Sequence, residues 1–109
     1  MKNSRQRKAE SKLHDLEIRY RQCLIAGLHI CAKGEWGLFR RYEDIISQPR
    51  YVKELLELGK EIVTLRLQLG YNDDFELYKK YTDICDQNID DNTLGEPRIA
   101  QQWLAELDQ

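Results

Sequence analysis

Apolar residues return at three- and four-residue steps along most of this chain, the spacing that gathers side chains on one face of an α-helix. Leu13, Leu16, Tyr20, Cys23, Leu24, Gly27 and Cys31 form the first such row and predict a helix over 8–32. Lys33 and Gly34 supply a basic last turn and a residue free to take positive φ, a common way for a helix to stop. Glu35-Trp36-Gly37 then makes a turn. Leu38, Phe39, Tyr42, Ile45 and Ile46 resume the spacing and predict a short connecting helix over 38–47. Pro49 ends it by disfavouring the helical conformation of Gln48.

The strongest pattern follows. Tyr51, Leu55, Leu58, Ile62, Leu65 and Leu69 alternate steps of four and three, and Val52, Leu56, Gly59 and Val63 repeat that alternation one position over. The doubled row predicts a central helix over 51–69 with an apolar face wider than one neighbour needs. Gly70 closes it. Asp73 with Glu76 three residues on has the form of a capping box for a helix carrying Leu77, Tyr78, Tyr81, Ile84 and Cys85. Residues 86–96 concentrate turn-forming side chains and predict a loop. Pro97 suits a first helical turn, with Ile99, Trp103, Leu104 and Leu107 on one face behind it. With no alternating strand pattern, the expected fold is all-α: a compact bundle of four principal helices plus one short connecting helix, a single domain over 1–109 with 1–7 as a mobile basic arm.

Composition is consistent with a folded domain. The 109 residues are 41% hydrophobic and 33% charged, with 6 Gly and 2 Pro, too apolar for wholesale disorder. Apolar runs such as Cys23-Leu24-Ile25-Ala26-Gly27-Leu28 fall far short of the roughly 20 residues that cross a bilayer, so no membrane association is expected. Met1-Lys2-Asn3-Ser4-Arg5-Gln6-Arg7-Lys8 lacks the apolar stretch of a signal peptide. Three cysteines, Cys23, Cys31 and Cys85, are an odd set that suits a reducing cytoplasm better than a disulfide framework.

Charge alters the picture more. Residues 1–50 carry 11 basic and 6 acidic side chains, whereas 51–109 carry 6 and 13, so the net charge of -2 conceals a dipolar molecule. Asp83, Asp86, Asp90, Asp91 and Glu96 crowd the acidic part, and Lys2, Arg5, Arg7, Lys8 and Lys12 the basic start. Trp36, Phe39, Arg40 and Arg41 combine aromatics and arginines, types enriched among interface hot spots. Against that reading, Trp36 and Phe39 are equally suited to plugging the end of the helices.

Catalytic chemistry finds little footing. At 100° per residue His29 points away from Cys23 and Cys31, and no CxxC or HxxxH spacing occurs, so no metal or other cofactor is expected. No cysteine has the neighbouring base or cation that lowers a thiol pKa. The chain is therefore expected to be a small non-catalytic cytoplasmic interaction or regulatory protein, acting on a protein partner by surface complementarity as immunity, antitoxin or inhibitor proteins do. Its expected contact residues are Trp36, Phe39, Arg40, Arg41, Asp83, Asp86, Asp90, Asp91 and Glu96. The alternatives are a nucleic-acid-binding module using the basic arm, a structural homodimer paired through the Tyr51 to Leu69 helix, and, least favoured, a small enzyme.

Overall fold

A computed structural model describes residues 3–33, 38–39, 50–72, 75–86 and 95–107. Four helices account for most of them: α1 (Ser4–Ala32), α2 (Arg50–Gln68), α3 (Glu76–Asp86) and α4 (Gly95–Leu107), with no strand among the described residues. The fold is all-α. The short connecting helix expected over 38–47 lies outside the described residues apart from Leu38 and Phe39, which form a bend.

Helix ends follow local chemistry. α1 begins at Ser4, four residues earlier than the apolar spacing indicates, because Asn3 caps it. The Asn3 side chain accepts from the Gln6 backbone N–H at 2.8 Å, and Asn3 N–H donates back to the Gln6 side chain at 3.3 Å. This reciprocal pair satisfies two donors that the first turn of a helix leaves over. Residues 4–7, expected to belong to a basic arm, are thus the first turn of α1. At the far end of α2, Gly70 takes φ +82. Tyr71 N–H then donates to Arg66 C=O at 3.0 Å and Gly70 N–H to Leu67 C=O at 3.1 Å, the Schellman closure that a glycine permits without a Cβ penalty. α4 starts at Gly95, so Pro97 is its third residue. Its missing N–H still falls among the first four, which have no intrahelical partner.

α1 is the shared spine. It packs against both α2 and α4, while α3 rests on α2. The Cys23 thiol faces Tyr51 and Glu54 while Lys12 reaches Glu61, so α2 runs antiparallel to α1. α4 is antiparallel to α1 as well: Arg21 Nη2 donates to Leu107 C=O at 2.9 Å and Gln101 Nε2 to Ala32 C=O at 3.3 Å. The expectation that the doubled row makes the 51–69 helix central is corrected. Val52, Leu55, Leu58, Gly59 and Ile62 are buried, but Leu56 and Val63 on the second row are only half-buried and Leu67 is 66% exposed. One helix on each flank of α1 needs a longer buried face there, supplied by Leu13, Tyr20, Leu24, Gly27, Leu28 and Cys31.

Aromatics fill the junction with α3. Tyr20 meets Phe75 and Tyr78 edge-on at centroid distances of 5.2 and 6.2 Å. Tyr78 lies directly on Gly59, where an added Cβ would overlap its ring. Further along, Tyr81 donates its hydroxyl to Leu38 C=O at 2.8 Å. α3 therefore advances from the middle of α1 toward the chain just beyond its end. Twenty-nine residues of α1 span about 43 Å, which sets the long axis of a molecule measuring 52 × 34 × 21 Å.

Candidate interaction surface

The aromatic and arginine segment divides on inspection. Phe39 is 2% exposed, stacked on Trp103 at 6.2 Å and tilted against Tyr81 at 5.9 Å. Its placement as a partner-contacting residue is corrected: the Trp103 and Tyr81 rings pack against it, and exposing it would open the core. Trp36, Arg40 and Arg41 lie outside the described residues, as do Asp90 and Asp91. Glu96 stands in the first turn of α4, with its side chain outside the described set.

Asp83 and Asp86 are exposed on α3. With Glu76 and Lys79 they fall at steps of three and four, which makes one solvent-facing row with three acids and one base. The other α3 lysine faces elsewhere. Lys80 Nζ lies 2.6 Å from Glu106 Oε2 and 4.9 Å above the Trp103 ring, so it ties α3 to α4.

The opposite end is basic. Arg5, Arg7, Lys8 and Lys12 are all exposed on the first turns of α1, whose first turn holds no acid. Lys12 pairs with Glu61 of α2 at 3.3 Å, and the two side chains are 62% and 48% exposed. An open groove of about 320 Å³ runs beside this pair, lined by Lys12, Lys60, Glu61, Thr64, Leu65 and Gln68. Sequence reasoning missed Lys60 and Gln68. Their relation to Lys12 depends on the antiparallel register of α1 and α2, which no local pattern reveals.

Between the two ends the Cys23 thiol and the Tyr20 phenol are held protonated. Cys23 Sγ donates to Glu54 Oε2 at 3.5 Å, and burial first, then the Glu54 carboxylate, pushes its thiol up to about 11. A thiol so placed is a poor nucleophile at neutral pH. The Tyr20 hydroxyl is fully enclosed with no hydrogen-bond partner among the described residues, and burial drives its phenol far above the usual tyrosine range. α1 sends His29 to solvent and Cys31 into the core, and no three metal-binding side chains gather among the described residues. None of the described helices is long and apolar enough to cross a membrane. Comparison of the chain with known protein families, curated proteins and solved structures found no match in any of the three.

Proposed function

We propose that this is a small interaction protein without catalysis of its own, in which the helices close as one bundle and an acidic surface engages a basic protein partner. One observation carries the reading: Glu76, Asp83 and Asp86 form an exposed acidic row on α3 with Lys79 as its single base, while Arg5, Arg7, Lys8 and Lys12 are exposed at the start of α1. Segregated charge orients an approaching partner and accelerates encounter, an effect that scattered charge of the same net value lacks. The Cys23 thiol and the Tyr20 phenol support the same view, since burial holds both protonated instead of poised for reaction. The acidic row on α3 is the contact surface in this proposal, continued through Asp90, Asp91 and Glu96 by their place in the sequence. A reducing cytoplasm is the proposed compartment, on the odd number of cysteines.

Affinity capture from native lysate with the full chain tests it. A protein retained by the native sequence and lost from Asp83→Lys/Asp86→Lys at 150 mM salt supports the acidic row as the contact. Retention undiminished by the double reversal would reject it.

A further inference from the structure

The basic end of α1 has no structural reason to be basic. A helix start carries a partial positive charge, so each cation in the first turn is unfavourable where an acid would be favourable. Yet Ser4–Ala32 has no acid in its first turn, and Arg5 and Arg7 occupy it. Among the described residues Arg5, Arg7 and Lys8 join no ion pair, and the Lys12–Glu61 pair is too exposed to repay much. Arg5, Lys8 and Lys12 follow at steps of three and four, so they share one side of α1, and Lys12 opens on the groove that Lys60 and Gln68 line from α2.

We propose that this surface, Arg5, Arg7, Lys8 and Lys12 of α1 with Lys60 and Gln68 of α2, docks the phosphate backbone of a nucleic acid. Phosphate oxygens are contacted by long cationic side chains, by amides and by helix starts, the groups assembled here. An acidic polypeptide shares the charge but not the rest, since protein interfaces seat apolar or aromatic anchors in a central pocket and the groove offers Leu65 alone. Glu61, its one acid, is partnered by Lys12. No aromatic side chain lines the groove, so bases have nothing to stack on and binding is predicted to be indifferent to sequence. The proposal is independent of the acidic row on α3 and survives or fails without it.

Fluorescence anisotropy of a labelled 20-base-pair duplex of mixed sequence, titrated with the full chain, provides the test. With three to four phosphates neutralised, affinity is expected to fall roughly a hundredfold between 50 and 200 mM salt. Arg5→Gln or Lys8→Gln alone, each keeping a good helix former, lowers the slope of log K against log salt by about one. Arg5→Glu/Arg7→Glu/Lys8→Glu abolishes binding, and Asp83→Lys/Asp86→Lys leaves it no weaker. No binding by the native chain at 50 mM salt would overturn the proposal. So would unchanged affinity in the triple reversal, or tighter binding to poly-glutamate of equal charge, which would assign the surface to an acidic polypeptide.

Discussion

Tyr20 and Tyr81 are both fully buried, yet their hydroxyls stand in opposite situations. Tyr81 donates to Leu38 C=O, whereas the Tyr20 hydroxyl is enclosed among described residues that offer it no partner. Removing the first leaves a buried carbonyl unsatisfied, so Tyr81→Phe is expected to cost about 1–3 kcal/mol in urea unfolding. Removing the second takes away a desolvated polar atom, so Tyr20→Phe is expected to be neutral or stabilising. A loss above about 1 kcal/mol in Tyr20→Phe would contradict the environment described for it. Cys23 yields a prediction in pH. Because folding raises its pKa from 9.0 to about 11, the native state holds that proton more tightly than the unfolded chain does. The resulting stability is complete below pH 9 and is lost as pH climbs through 11. Peptide-resolved alkylation of the folded protein should therefore accelerate about tenfold per pH unit up to about 11 at Cys23. A plateau near pH 9 would show an ordinary thiol.

Among the elements, the contact between α2 and α3 turns on Gly59. Alanine is the better helix former by up to about 1 kcal/mol, so an open site would gain from Gly59→Ala. Here the new methyl would overlap the Tyr78 ring, and α3 must shift to admit it. A net loss of about 1–3 kcal/mol is expected, recovered in part by pairing the change with Tyr78→Ala. Equal or higher stability of the single variant would mean that α3 does not approach so closely.

Apolar spacing placed α2 within one residue at each end, because its rows run unbroken from Tyr51 to Leu69 and Gly70 takes the conformation that its position called for. The start of α1 escaped the same reasoning because its first nine residues carry no large apolar side chain. The signal lay in Asn3 and Gln6, a cap written in polar residues. Phe39 shows the opposite limit. Composition alone cannot separate an aromatic epitope from a core plug, and Trp103, sixty-four positions away, decides it. Lys60 joins Lys12 through the register of two helices, which likewise only the folded chain displays.

Over the whole molecule, the start of α1 and the last turns of α3 present different surfaces. Net charge is close to zero, yet the start of the spine presents exposed cations and the end of α3 presents exposed acids. The core between them is built from residues that stabilise the fold, and the exterior is arranged at some cost to stability. That cost is measurable at Arg5, Arg7 and Lys8. Cations that served the fold would weaken it when reversed, whereas cations held against the helix dipole should strengthen it, by roughly 0.3–1 kcal/mol for each first-turn charge. Thermal unfolding of Arg5→Glu/Arg7→Glu/Lys8→Glu at low salt is the most direct measurement. A melting temperature at or above that of the native chain is predicted. A fall of several degrees would contradict the claim that these charges are kept for recognition and not for folding.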